Sequence, residues 1–136
     1  MRVLALDHGT VRIGCALSDP SGTLATPLTV IEPPEARAVA ELVAEHGVER
    51  VVVGLPLHLS GEEGSQAGLA RSFCRELEAI LPVPVDTYDE RLTSRMADAS
   101  RRGGAAAARD SLAAAHLLET YLERSRPGGK DETDEP

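Results

Sequence analysis

Three acidic side chains in separate parts of the chain fall at positions where they could share one site. Asp7 closes an apolar run at the N-terminus, Glu90 follows a later apolar run, and Asp110 lies near the start of an alanine-rich segment. A carboxylate at the end of a buried strand is costly unless it is paired, hydrogen-bonded or bound to a metal. Clustered carboxylates repel one another, and a hard divalent cation such as Mg²⁺ or Mn²⁺ relieves that repulsion. The three acids therefore predict a divalent-metal site.

Each acid also has an ordinary structural explanation. Asp7 could cap a turn, Asp110 could stabilise the start of a helix through its dipole, and Glu90 could be a solvated loop charge. Strand alternation sends Asp89 and Glu90 to opposite faces, so only one of them can readily join Asp7. The coincidence of three element ends that could face one cleft favours the metal site. Two metal ions about 3.5–4 Å apart in such a site suit hydrolysis of a phosphodiester bond.

Basic side chains are concentrated between the second and third acids. Residues 91–109 hold five arginines and a single acid, Asp98, although the chain as a whole has a net charge of −8. The five are Arg91, Arg95, Arg101, Arg102 and Arg109. Arginine–phosphate pairs position a nucleic-acid backbone without reading its sequence. This segment predicts a nucleic-acid contact beside the metal site, with a plain solvated face as the alternative.

The residues that follow Asp7 could line the same cleft. The backbone of His8, Gly9 and Thr10 could approach a phosphate closely, because glycine lets a ligand come near the main chain. His58 lies in the loop after the fourth predicted strand and could face the cleft as well. The spacing of the histidines matches no zinc motif.

The pattern of apolar residues predicts the elements that would position these side chains. It predicts strands at Val3–Leu6, Val11–Ser18, Thr23–Ile31, Val51–Val53 and Val83–Tyr88, and helices at Glu35–His46, around Ala70–Ile80 and at Ala105–Arg124. This β-β-β-α-β-α-β-α order predicts an α/β fold with a mixed five-stranded sheet flanked by helices. Pro27 predicts an edge position or a bulge for the third strand. Asp110 shares its helical stripe with Ala114, Leu117 and Tyr121, which places an acid in the first turn of the face that should pack on the sheet.

Composition limits the class of protein. The length of 136 residues fits one domain, which we expect to span residues 1–125, followed by a disordered acidic tail at 126–136. A net charge of −8 argues against indiscriminate binding of nucleic acid, and three aromatic residues are too few for a base-stacking platform. Cys15 and Cys74 lie in apolar patterns typical of reduced core thiols. The apolar runs are too short for a signal peptide or a membrane span, which indicates a cytoplasmic protein.

Four motifs in order resemble those of the YqgF/RuvX family across residues 1–124. They are Asp7–Asp19, Val52–Gly61, Asp89–Ser94 and Asp110–Ala114. The resemblance implies an RNase H-like fold, a nuclease that processes pre-16S rRNA, and kinship with Holliday-junction resolvases. It assigns the acidic triad to Asp7, Glu90 and Asp110 and matches Arg12 to the motif arginine, which we count among the nucleic-acid contacts. His8 departs from the residue that the family often has there.

Three alternatives remain at this level. A resolvase acting on branched DNA would use the same metal chemistry, and its two-fold substrate would favour a homodimer. A nucleotide-binding protein is the second, since Asp-x-Gly-Thr after a first strand also occurs in sugar-kinase and actin-like ATPases. Those ATPases need two such lobes, and this length supplies one. The third is a non-catalytic RNA-binding or assembly factor, against which the retained triad argues.

Overall fold

The predicted order of strands and helices is confirmed. The computed structural model of the protein describes residues 1–55, 64–89 and 106–125. Within these ranges the chain forms β1 (Val3–His8), β2 (Ile13–Ser18), β3 (Ala25–Ile31), α1 (Ala36–His46), β4 (Arg50–Leu55), α2 (Ser65–Ile80), β5 (Val85–Asp89) and α3 (Ala106–Ser125). No helix within them is long and apolar enough to cross a membrane.

The strands form one mixed sheet in the order β3-β2-β1-β4-β5. The first three strands pair antiparallel, and β1, β4 and β5 pair parallel, as the alternation of strands and helices predicts. The strand β3 lies at one edge of the sheet, and its register with β2 shifts between Cys15 and Ala16, where Ala16 faces Pro27. Both expectations for Pro27 are therefore confirmed, because proline lacks the N–H that a regular inner strand requires.

Helices cover both faces of the sheet and divide the core in two. Leu4 and Leu6 of β1 pack with residues of α1 and α2, whereas Val3 and Ala5 pack with residues of α3. This alternation is the two-residue period of a strand buried on both faces. At the end of β1 it assigns Asp7 to the α3 face of the sheet.

Several element boundaries differ from the prediction. The strand β1 continues to His8 because the register with β2 carries on to the pair of His8 and Ile13. The strand β5 begins at Val85, since Pro84 lacks an N–H and serves only as an acceptor, for the backbone N–H of Val51. The helix α3 begins at Ala106, so Asp110 is its fifth residue and the prediction of an acid in the first turn is wrong.

The apolar face of α3 and the two thiols lie where the sequence predicts them. Ala114 and Leu117 are buried in the α3 core and Tyr121 packs against it, which confirms the predicted stripe. Cys15 and Cys74 are free and buried in the other core, as expected for reduced thiols. Because a dipole acts within the first turn of a helix, the second-turn position of Asp110 also weakens the helix-start explanation for this acid.

Candidate active site

Asp7 and Asp110 are brought together through a single glycine. In the antiparallel pair of β1 and β2, Asp7 lies directly opposite Gly14, so their Cα atoms are about 4.5–5.5 Å apart. The backbone of Asp110 rests on Gly14 so closely that a Cβ there would overlap the Asp110 carbonyl group and the nitrogen of Ser111. Asp7, Gly14 and Asp110 thus lie together on the α3 face of the sheet, at the C-terminal end of β1.

Sequence reasoning missed the role of Gly14. The sequence places this residue inside the alternating pattern of β2, on the face opposite to Ile13 and Cys15, and the structure shows that it is buried. A glycine inside a strand often marks the close approach of another backbone, and this signal was available in the sequence. The partner in that approach lies 96 positions later in the chain and was not readable from the spacing alone.

Arg12 holds the side chain of Asp110. Its Nε donates a hydrogen bond to Oδ2 of Asp110 at 2.6 Å, and its Nη1 lies 3.9 Å from Oε2 of Glu32. The Arg12 and Asp110 side chains are 25% and 30% exposed, so water screens this pair only in part. We predicted Arg12 as a nucleic-acid contact, and the structure places its guanidinium against a site carboxylate. The contact with Glu32 had no signal in the sequence.

The turn between β1 and β2 is closed by its own backbone. The N–H of Gly9 donates to the carbonyl of Arg12 at 3.0 Å, and a Cβ on Gly9 would lie 2.9 Å from that oxygen. The Gly9 N–H is therefore engaged in the turn, and the predicted approach of a phosphate to this backbone stays a prediction. Thr10 is exposed at the tip of the turn, and Gly9 is half-buried.

His8 lies on the face of the sheet opposite Asp7. Its ring stacks on Phe73 of α2 with centroids 4.6 Å apart and planes 29° apart. Burial lowers the pKa of His8, with the charge of Glu76 opposing the shift, so the imidazole stays neutral at pH 7. Its buried Nδ1 has no hydrogen-bond partner within residues 1–55, 64–89 and 106–125. The sheet therefore lies between Asp7 and the side chain of His8, which we predicted to line the site.

The last described strand leads to the third predicted acid. In β5, Val85 packs in the α1 and α2 core and Tyr88 in the α3 core, so alternation assigns Asp89 to the face away from Asp7. Glu90, the next residue, lies outside the described residues. So do His58 and four of the five predicted arginines: Arg91, Arg95, Arg101 and Arg102. For Arg109 the structure describes the backbone within α3.

The donors at this end of the sheet suit a hard cation. Asp7 and Asp110 supply carboxylate oxygens, the ligands that Mg²⁺ and Mn²⁺ prefer, and both side chains are partly exposed. The described residues contain no group of three His, Cys, Asp or Glu side chains that could hold a metal ion. Two of the three predicted ligands therefore fit a metal, and the third is the residue that follows β5.

The architecture defines an RNase H-like fold. RuvC from Thermus thermophilus, solved in complex with a Holliday junction substrate, superposes with a TM-score of 0.61 at 20% identity, covering 92% of this chain and 96% of that chain. A second structure of Thermus thermophilus RuvC gives a TM-score of 0.58 at 19% identity. At this level of identity the likeness concerns the fold, and it confirms the predicted fold class.

The chain belongs to the RuvX family. Residues 1–124 match the family described as "RuvX: Holliday junction resolvase". A protein of Chloroflexus aggregans named "Putative pre-16S rRNA nuclease" is 47% identical over 135 residues, 91% of this chain and 94% of that relative. A protein of the same name from Anaeromyxobacter dehalogenans is 42% identical over 137 residues, 93% of this chain and 100% of that relative. The family predicted from the four motifs is confirmed. The predicted nuclease activity agrees with the family description and with the names of these relatives.

Proposed function

We propose that this chain is a divalent-cation-dependent nuclease that hydrolyses phosphodiester bonds in structured RNA, with the precursor of 16S rRNA as its substrate. The observation that supports this proposal is the meeting of Asp7 and Asp110 across Gly14 on one face of the sheet. The two acids are 103 positions apart in the chain, so the fold and not local spacing brings them together. We assign the nuclease to residues 1–125 and its action to the cytoplasm.

Asp7, Asp110 and Glu90 would hold one or two Mg²⁺ or Mn²⁺ ions. The strands β1 and β5 are separated by β4, so their backbones lie about 10 Å apart by the usual spacing of strands. A longer glutamate after β5 suits this gap better than an aspartate would. Such ions, when bound, activate a water and stabilise the leaving oxygen of a phosphodiester. The protein's own part is to fix the carboxylates and to orient the backbone of the substrate.

The charge of the chain fits a substrate that is recognised locally. With a net charge of −8 the protein as a whole repels a polyanion, so binding must depend on a limited set of cations beside the site. We assign that role to Arg109 and to the arginines at positions 91, 95, 101 and 102, which follow Glu90 directly in the sequence. The scarcity of aromatic residues makes phosphate contact, and not base stacking, the mode of binding.

The decisive experiment compares two aspartates of the same sheet face. Asp86 also faces α3, where it accepts hydrogen bonds from Arg50 at 2.6 Å and from Tyr121 at 3.0 Å. Asp7→Asn should abolish Mn²⁺-dependent cleavage of a precursor rRNA fragment, because the amide loses the charge that holds a cation. Asp86→Asn should lower stability, because it weakens the pair with Arg50. It should leave cleavage unchanged, because Arg50 begins β4 and the pair therefore lies at the end of the parallel strands away from Asp7.

Cleavage would be measured on structured RNA, single-stranded RNA and a four-way DNA junction, with and without Mg²⁺ or Mn²⁺, using gel-resolved products. Circular dichroism would show whether each variant is folded. Unchanged cleavage by a folded Asp7→Asn protein would refute the metal mechanism. RNA binding without any cleavage, in the wild type as well as in Asp7→Asn, would indicate a non-catalytic RNA-binding factor instead.

A resolvase of branched DNA is the second candidate. The family description and the fold shared with RuvC favour it. A four-way junction presents two symmetric strands, so this activity calls for a homodimer with two sites. Preferential cleavage of the junction, together with a dimer in light scattering at assay concentration, would favour the resolvase. Preference for the rRNA fragment by a monomer would favour the RNA nuclease.

A further inference from the structure

Arg12 stands between two carboxylates of different elements. The turn after β1 fixes its backbone through the bond from Gly9, and the side chain reaches Oδ2 of Asp110 on α3 at 2.6 Å. On its other side, Nη1 lies 3.9 Å from Oε2 of Glu32, which directly follows β3. The Glu32 side chain is 56% exposed, against 30% for Asp110, so the nearer partner is also the better shielded one.

The placement of Asp110 in the fold does not depend on Arg12. Gly14 fixes the backbone of Asp110 against β2, and Ala114 and Leu117 bury the following turns of α3 in the core. Arg12 therefore orients the side chain of Asp110 and does not set the position of its backbone. A variant at position 12 should keep the fold and change only the surroundings of the Asp110 carboxylate. Experiments can therefore distinguish the effect of Arg12 on this carboxylate from an effect on folding.

We propose that Arg12 is a positioning residue that holds Asp110 until a divalent cation takes that carboxylate, whereupon its guanidinium transfers to Glu32. A metal cation and the Arg12 guanidinium compete for Oδ2 of Asp110 and repel each other. The carboxylate of Glu32, already within 4 Å of Arg12, can accept the guanidinium when the cation displaces it. The inference rests on the proposed function, since it assumes that Asp110 is a metal ligand. It assigns to Glu32 the role of accepting Arg12.

The test is a Mn²⁺ titration of the full chain without nucleic acid, with free Mn²⁺ followed by electron paramagnetic resonance. Arg12→Gln removes the competing charge and should bind Mn²⁺ about three- to tenfold more tightly. Glu32→Gln leaves Arg12 without its second partner and should bind about two- to threefold more weakly. Arg12→Lys keeps the charge and should remain within about twofold of the wild type. A purely structural role of Arg12 would not tighten metal binding.

Unchanged or weaker Mn²⁺ binding by folded Arg12→Gln would overturn the competition, and unchanged binding by Glu32→Gln would overturn the transfer. If Arg12→Gln does not fold by circular dichroism, the result with Glu32→Gln decides alone. Wild-type protein that binds no Mn²⁺ would overturn the proposed function together with this inference. Mn²⁺ binding that Asp7→Asn abolishes, with Arg12→Gln and Glu32→Gln equal to the wild type, would overturn this inference and leave the proposed function standing.

Discussion

Replacing Gly14 with alanine should damage both the stability and the activity of this protein. A methyl group at Gly14 would overlap the carbonyl of Asp110 and lie 2.9 Å from the nitrogen of Ser111, all of them backbone atoms of α3. Since no flexible side chain can yield, α3 must move away from β2. Overpacking of this kind costs about 1–3 kcal/mol, although alanine by itself is the better residue in a strand.

The same substitution at Gly68 is the matched control. Gly68 is exposed in α2, and a Cβ there would have no neighbour within 4 Å among the described residues. Gly68→Ala should therefore stabilise the protein by about 0.5–1 kcal/mol, because alanine loses less backbone entropy in a helix. Gly14 lies in a strand and Gly68 in a helix, and alanine is favoured over glycine in both. Opposite signs would therefore isolate the contact between Gly14 and α3.

Thermal unfolding by circular dichroism measures both effects. For a domain of this size 1 kcal/mol moves the midpoint by about 3–5 °C, so a cost of about 2 kcal/mol at Gly14 lowers it by about 6–10 °C. Gly68→Ala should raise the midpoint by about 2–4 °C. A shift of α3 by about 1 Å, which carries Asp110 with it, should reduce metal-dependent cleavage about a hundredfold at a temperature where the protein is folded. A Gly14→Ala protein with wild-type midpoint and cleavage would refute the reasoning.

Two further outcomes concern groups outside the site. The Asp19 carboxylate accepts hydrogen bonds from the Ser21 hydroxyl and from the N–H groups of Leu24 and Thr23, which lowers its pKa from 3.8 to about 2. A depressed folded-state pKa contributes stability above pH 3.8 that is lost as pH falls toward 2. Asp19→Asn should therefore flatten the drop in thermal midpoint between these pH values. An unchanged drop would contradict the role of these hydrogen bonds in the turn. Burial raises the pKa of the Cys15 thiol to about 12, so iodoacetamide at pH 8 should modify Cys15, as seen by mass spectrometry, only after unfolding; rapid labelling of the native protein would contradict this burial.

The order of strands and helices could be predicted from the sequence because it depends on local periodicity. The short continuous run Val51–Val53 is typical of a strand buried on both faces, whereas the stripe through Ala114 and Leu117 repeats every three to four residues, and the observed burial follows both patterns. Pro27 carried a further constraint, since a missing N–H limits a residue to an edge or an irregularity wherever the chain folds. The end of β1 was less predictable, because it depends on how far its pairing with β2 continues, whereas the missing N–H of Pro84 was a local signal for the start of β5.

The sequence alone determined which residue types are available for chemistry and which face of β1 each would occupy. Asp7 follows Val3 and Ala5 at intervals of two residues, so the alternation of a strand places all three side chains on the same face of the sheet. Only the tertiary structure decided what surrounds that carboxylate. It packs Asp110 onto Gly14, sets Arg12 against Asp110, and sends His8 under Phe73 on the far face. These contacts join elements up to 98 positions apart, and no local pattern encodes such a contact, because it arises from the register of strands and the fit of a helix upon them.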